Sequence, residues 1–372
     1  MLYPKADFVG LTGVVHLAAG GETPMLISHQ DAVQQFFHDK ALGMPGRERF
    51  FAMRHECAQR VAQMLNVHAS DIAFVGSSSA GITSIVSAFD WQPGDEVITV
   101  DDEYPSGRYV FGWLQRYGVI PVMPAYEANP ADEASAIIAA ITDRTRLIYI
   151  SHVSTRTGRR LPLERIVAAA HAHGARVLLD ATHSLGIIAV DASNIDFVVC
   201  SGYKWLLGTH QGIVVWNGRL TPTFEPIVGW RSATPARQPE QFQYHADAAR
   251  IEVGNPNFLD LYILNNALRY HQQVDSVTLE AYALAQGGRL YDALAEAGTR
   301  LLTPRETTYR AGNICFSAQH PASFVARARA LGIEVWGDAD LQRVRCSIHG
   351  YVTPQDVDTA MELLPNLVTA EM

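Results

Sequence analysis

Between Asp71 and Trp216 the chain repeats one pattern: a short run that is apolar almost throughout, then a longer stretch with helical spacing. The runs are DIAFVG, EVITVD, VIPVM, TRLIYIS, ARVLLD, IDFVVC and QGIVVW. No other feature constrains the fold as tightly. A strand with one face in water alternates apolar and polar residues, whereas a strand covered on both faces does not. The repeat predicts an α/β domain with a mainly parallel seven-stranded sheet flanked by helices, LERIVAAAHAHG being one crossover helix. Side chains that do chemistry then collect beyond the carboxyl ends of the strands.

The stretch TPTFEPIVGWRSATPARQPEQFQYHADAARIEVGNPNF is irregular, proline-bearing and rich in aromatics, so it suits a surface wrap or a subunit interface better than a linker. Beyond it, LYILNNALRYHQQV, LEAYALAQGGRLYDALAEAG and PASFVARARALG have helical spacing, and NICFS, IEVW and QRVRCSI read as strands. A large domain over 1–257 is therefore expected, its extreme N-terminus packing on a smaller α+β domain over 258–372.

A chain of 372 residues, 48% hydrophobic, is large enough for both cores. Its 38 acidic and 29 basic residues give a formal charge of -9, and no Lys/Arg-rich run interrupts the sequence, which argues against nucleic acid and anionic membrane as partners. The four cysteines are scattered without CxxC spacing, which fits a reducing compartment. No apolar stretch approaches the roughly 18 residues of a membrane span, and no basic-then-apolar leader opens the chain. The expectation is a cytoplasmic protein acting on small molecules, with no metal.

Lys204 lies in FVVCSGYKWLLG, just past an apolar run. An ammonium there is costly to desolvate, so the amine reaches solvent, has a partner or has a chemical task. Asp180 ends ARVLLD, where a strand-end carboxylate can accept from a protonated pyridine nitrogen, and His183 follows three residues on in DATHSLG. Ser77, Ser78 and Ser79 lie between the strand IAFV and a helical pattern, a turn suited to an anion without a Walker lysine. Tyr104, in DDEYPSGRY, follows another strand and can stack on a flat ring. Arg345 and Arg156 are candidate carboxylate clamps, because a guanidinium fork binds a carboxylate in two places.

Together these residues resemble the class V aminotransferase family of fold type I pyridoxal-phosphate enzymes, which includes cysteine desulfurases, isopenicillin N epimerase-like proteins and kynureninase. The resemblance implies pyridoxal 5'-phosphate as cofactor, Lys204 as its Schiff-base lysine, Ser201 and Tyr203 as phosphate neighbours, Asp180 at the pyridine nitrogen, His183 over the ring and Tyr104 as the ring stacker. Thr155 replaces the family's SNxxG asparagine, and Gly20, in Ala18-Ala19-Gly20-Gly21-Glu22, falls on its N-terminal substrate segment. Arg250-Ile251-Glu252-Val253-Gly254-Asn255 resembles RFExGT, which implies a homodimer in which Asn255 reaches the neighbour's phosphate. Arg345-Cys346-Ser347 resembles RxS and makes Arg345 the carboxylate clamp.

The family's desulfurases carry a cysteine on the loop before the RxS strand, and WGDADLQRVR has none. A thiol-dependent desulfurase is thus disfavoured, and transamination, β-elimination and epimerisation stay open, in that order. An idle binding protein on the same fold would have no need of Lys204 and Asp180, and a nicotinamide enzyme would want a glycine fingerprint that the chain lacks.

Overall fold

The computed structural model describes residues 1–125 and 129–369. The apolar runs form one sheet: β1 Ile72–Val75, β2 Glu96–Ile98, β3 Ile120–Val122, β4 Thr145–Ser151, β5 Arg176–Asp180, β6 Phe197–Ser201 and β7 Gly212–Trp216. Their spatial order is β1-β7-β6-β5-β4-β2-β3. Only β7 opposes its neighbours; the remaining pairs are parallel. Pro121, which cannot donate a ladder hydrogen bond, sits in the edge strand β3.

Strand parity explains why the runs are apolar throughout. Ile148, Ile150, Val177, Leu179, Val198 and Cys200 enter one core, whereas Leu147, Tyr149, Leu178, Phe197 and Val199 enter the core on the opposite face. Each strand is therefore apolar at both odd and even positions.

The helices are α1 His29–Ala41, α2 Met44–Leu65, α3 Ser78–Ser87, α4 Pro105–Leu114, α5 Pro130–Ala139, α6 Leu163–Ala172, α7 Phe258–His271, α8 Ser276–Glu296, α9 Pro321–Ala330 and α10 Pro354–Thr369. In α2 the residues facing the core include Gly46, Cys57, Ala58 and Ala62 beside Phe50, Val61 and Leu65, and the helix stops at Asn66, whose φ of 56° is left-handed. Helix α3 starts where Ser77 Oγ accepts the Ala80 N–H at 3.1 Å. Pro105 opens α4 directly after Tyr104.

A second sheet comprises β8 Asn313–Ser317, β9 Trp336–Asp338 and β10 Arg343–Ser347, antiparallel in the order β8-β10-β9. The run IEVW is divided rather than a single strand. Ile333 and Glu334 pair in parallel with Val15 and His16, and Trp336 then begins β9. The N-terminal chain continues past that pairing, and Leu17 O accepts the Ser347 N–H at 2.7 Å. Helix α7 packs on α1 and α2, while α8 packs on α10.

Candidate active site

The carboxyl ends of β1, β4, β5 and β6 converge on a cavity of about 140 Å³. It is lined by Ser77, Ser78 and Ser79 after β1, by Ser151, Asp180 and Ser201 at the last positions of their strands, and by Lys204 beyond β6. Larger clefts, of about 470 and 440 Å³, lie elsewhere, the first beside Arg300 and Arg343 and the second beside Met64 and Leu279. Neither is lined by a lysine, so the chemistry of the lining, and not its size, marks the smaller cavity as the site.

Lys204 is 9% exposed, and its Nζ lies 3.2 Å from His183 Nε2. The same nitrogen stands 5.8 Å from the centre of the Tyr104 ring and 5.5 Å from that of Tyr203. Burial, with the nearby Arg345 charge, pulls its pKa down to about 8, against the opposing pull of Asp180. About a tenth of the amine is therefore neutral at pH 7, far more than for an unperturbed lysine, and the neutral form is the one that acts as nucleophile or base.

The turn that carries this lysine is held from the N-terminal segment. Thr23 Oγ1 donates to the carbonyls of Tyr203 and Lys204 at 2.9 and 3.0 Å. Leu207 adopts a φ of 60°, rare for a bulky residue, and its carbonyl accepts from His29 Nε2 at 2.9 Å. A Cβ on Gly212 would meet the Ser77 backbone, so the start of β7 and the serine turn can approach closely only with glycine there.

Asp180 is buried, and its carboxylate is oriented by the Thr182 N–H at 2.8 Å and the Tyr149 hydroxyl at 3.2 Å. Ser78 and Ser201 share a hydrogen bond at 2.7 Å, as do Ser79 and Ser106. Tyr203 stacks on His210 with ring centres 4.2 Å apart. His183 is buried among Lys204 and Arg345, and burial drives its pKa well below the ordinary value, so the ring is neutral.

Arg345 enters from β10 and is 2% exposed. Its Nη1 donates to Thr155 Oγ1 at 2.6 Å and to Thr155 O at 2.9 Å, and its guanidinium lies 4.5 Å from the Trp336 ring centre. Gly20 backs this arginine: a Cβ there would come within 3.1 Å of Arg345 Nε. Gly20 thus shapes the site by giving Arg345 room. Arg156 is only half-buried and is not among the cavity-lining residues; its carbonyl accepts from Arg343 at 3.3 Å. Asn255 also lies outside the cavity of its own chain, where its Oδ1 accepts from Arg47 at 3.4 Å.

Sequence reasoning missed Ser151, Thr182 and His210 in the lining. Ser151 ends an apolar run just as Asp180 does, so the same strand-end rule could have found it. It also missed Glu103. Glu103 accepts from Ser151 N and Oγ, both at 2.5 Å, and burial pushes its pKa up to about 7. Beside it Asp102 receives two hydrogen bonds from Arg159, at 3.0 and 3.1 Å, and Arg159 also pairs with Glu133. These contacts pin the loop that presents Tyr104. Removing one partner of such a buried pair typically costs about 3–5 kcal/mol.

The donor set fits pyridoxal phosphate. A desolvated amine, an oriented buried carboxylate, a flanking tyrosine and a hydroxyl-lined helix start face one space, and the buried Thr182 Oγ1 and Arg345 Nε have no hydrogen-bond partner. Among the described residues no His/Cys/Asp/Glu group suits a metal, and no helix is long and apolar enough to cross a membrane.

Comparison with known proteins agrees. The model of the family "Aminotransferase class-V" matches residues 46–359. The kynureninase of Deinococcus radiodurans is 30% identical over 296 residues, covering 76% of this chain and 70% of that protein. The isopenicillin N epimerase of Streptomyces clavuligerus is 28% identical over 192 residues, which are 50% of this chain and 48% of the epimerase. A probable cysteine desulfurase of Mycolicibacterium paratuberculosis is 27% identical over 75% of this chain and 42% of its own length. Among solved structures, a mutant of C-DES with glycine covalently linked to its pyridoxal-phosphate cofactor superposes with a TM-score of 0.88 at 22% identity, over 98% of this chain and 99% of that one. With a lysine, a strand-end aspartate and a serine turn around one cavity, and a family match over most of its length, the chain belongs to the class V aminotransferase family of pyridoxal-phosphate-dependent enzymes.

Proposed function

We propose that this enzyme transforms an α-amino acid at its Cα, fixing the substrate carboxylate with Arg345 and moving the Cα proton with Lys204, without any cysteine relay. The observation that carries this reading is a partly neutral buried lysine in the cavity lining together with a buried arginine that holds the lining residue Thr155 and whose Nε lacks a partner. A buried guanidinium with spare donors is matched by a carboxylate, which it can bind bidentately.

Lys204 would hold the cofactor covalently. Ser77, Ser78, Ser79, Ser201 and the α3 N-terminus would hold its phosphate, Asp180 its ring nitrogen, and Tyr104 and His183 its two faces; Thr155 orients Arg345. Bound pyridoxal phosphate supplies an electron sink that lets a Cα proton leave. Asp180, oriented by Thr182 and Tyr149, would face the ring nitrogen. Lys204, once its amine is free, takes the Cα proton and returns it, and the atom to which it returns separates transamination from elimination and epimerisation. Transamination is the leading reading, followed by loss of a β-substituent and then epimerisation.

The absence of a cysteine relay is supported by the burial of Cys57, Cys200, Cys315 and Cys346. Burial pushes all four thiols up, that of Cys315 to about 11, so none is poised as a thiolate. A homodimer is supported by exposed Ile227, Trp230 and Val253 on the segment that carries Asn255, an apolar face that a second copy would cover.

The test supplies the cofactor and screens amino acids for keto acid, ammonia, sulfide and inversion at Cα. Turnover of the best substrate should survive replacement of all four cysteines, with folding checked by circular dichroism. Sulfide release from cysteine that vanishes on changing one cysteine, in a folded and cofactor-loaded variant, would overturn the reading.

A further inference from the structure

His183 joins the two sheets through a chain of hydrogen bonds. On one side its Nε2 lies 3.2 Å from Lys204 Nζ, and on the other its Nδ1 lies 3.1 Å from Asn313 Nδ2. Asn313 opens β8, and its Oδ1 accepts from Ser347 Oγ at 2.8 Å. Ser347 is the residue directly opposite it on β10. Gly20 closes the slot: a Cβ there would come within 2.8 Å of Ser347 Oγ and 2.9 Å of Asn313 Oδ1. The Asn313 amide turns its oxygen toward Ser347 and its nitrogen toward His183.

That orientation has a chemical consequence. In that orientation the amide nitrogen donates to His183 Nδ1, which places the single hydrogen of the neutral ring on Nε2. The Nε2–H then faces Lys204 Nζ. An ammonium has three donors and no acceptor, whereas a neutral amine has a lone pair. Only the neutral amine can receive this hydrogen bond.

We propose that Asn313 and Ser347 are positioning residues that fix the Nε2–H tautomer of His183 and thereby favour the neutral, reactive form of Lys204. The inference rests on the reading of Lys204 as the amine that holds the cofactor and moves protons. The other groups that act on the lysine pull in both directions: Arg345, from β10, disfavours the ammonium, while Asp180, Cys200 and Glu22 favour it. The rings of Tyr104 and Tyr203 flank it. The Asn313–Ser347 pair lies on the same two strands as Arg345, so the small sheet supplies both the carboxylate clamp and the control of the lysine.

The tautomer can be read directly. In full-length holoenzyme labelled with 15N-histidine, long-range 1H–15N correlations report which ring nitrogen carries hydrogen, and the His183 signal is identified by its loss in His183→Gln. The expected result is Nε2–H in the wild type; Nδ1–H or an imidazolium at neutral pH would overturn the proposal. Asn313→Asp replaces the donor by an acceptor and should move the hydrogen to Nδ1. Asn313→Leu removes the donor without adding charge. The link to the lysine is read in cofactor-stripped full-length chain, as the pH dependence of Lys204 modification by an amine reagent followed by peptide mass. Both variants should raise the midpoint by about one pH unit, slowing modification at neutral pH by about tenfold. An unchanged midpoint in folded Asn313→Leu would overturn that link. If either variant fails to fold, the wild-type tautomer still decides. Correct tautomers with the reduced cofactor found on a different lysine would sink the assignment of Lys204 instead.

Discussion

Two buried imidazoles touch consecutive residues, His183 the Lys204 amine and His349 the Trp205 carbonyl, and their difference separates a candidate reactive site from a structural one. His349 donates from Nε2 to Trp205 O at 3.0 Å and accepts the Gly350 N–H on Nδ1 at 2.7 Å. It stacks on Tyr351, with ring centres 4.9 Å apart and planes 6° from parallel, and burial takes its pKa down to about 3. His183 is equally buried and neutral. The partners of His349 are backbone groups, which neither rotate nor titrate. Those of His183 are a side-chain amide and an amine, and the ring lines a cavity that also contains a partnerless hydroxyl. Burial and a displaced pKa are therefore common to both positions. What distinguishes the site is a partner able to change its protonation state beside space for a ligand.

The contrast can be broken or sharpened by substitution. The largest effect is expected for Lys204→Ala, which should abolish the pyridoxyl adduct that borohydride fixes on this residue in the wild type. Stability should hardly change, because the substitution removes a desolvated amine and no core packing; an adduct on another lysine would end the assignment.

Asp180→Asn keeps the shape of the side chain but removes the carboxylate proposed to face the pyridine nitrogen. Turnover should fall on the order of 10²–10³-fold while cofactor is retained, in line with the loss of one preorganised electrostatic group. Activity near that of the wild type would remove Asp180 from the mechanism.

The smallest effect on chemistry, and a clear one on stability, is expected for His349→Phe. The buried Trp205 carbonyl and Gly350 N–H lose their partners, at a cost of about 1–3 kcal/mol each in denaturant unfolding. The cofactor adduct on Lys204 should persist. Loss of the adduct without loss of stability would make His349 part of the active site and dissolve the comparison.

Much of this molecule could be read locally. The central strands were legible because a strand buried on both faces shows itself in a handful of consecutive residues, and Lys204, Asp180 and the serine turn because each lies just at or beyond such a run. Helix α2 was harder to see, since Gly46, Cys57, Ala58 and Ala62 give a weak apolar stripe although all face the core. The division of IEVW was invisible, because the partner of Ile333 is Val15, at the opposite end of the chain.

The choice between clamps shows the same limit in chemical terms. Arg156 and Arg345 are the same residue type, and nothing near either one says which is buried. Packing separates them: Arg345 is buried against Trp336 and hydrogen-bonds Thr155, which lines the cavity, while Arg156 stays half-buried.

Sequence alone thus determined the sheet, the family and most of the residues that line the candidate site, since strand burial and strand-end placement are properties of short segments. Tertiary structure decided the protonation and orientation of those residues. Lys204 meets His183, His183 meets Asn313, which is 130 positions away, and the Arg345 charge lowers the pKa of Lys204; those groups meet only when the second sheet packs against the first. Electrostatic and hydrogen-bond control acts over a few ångströms of space, and separation along the chain gives no measure of it.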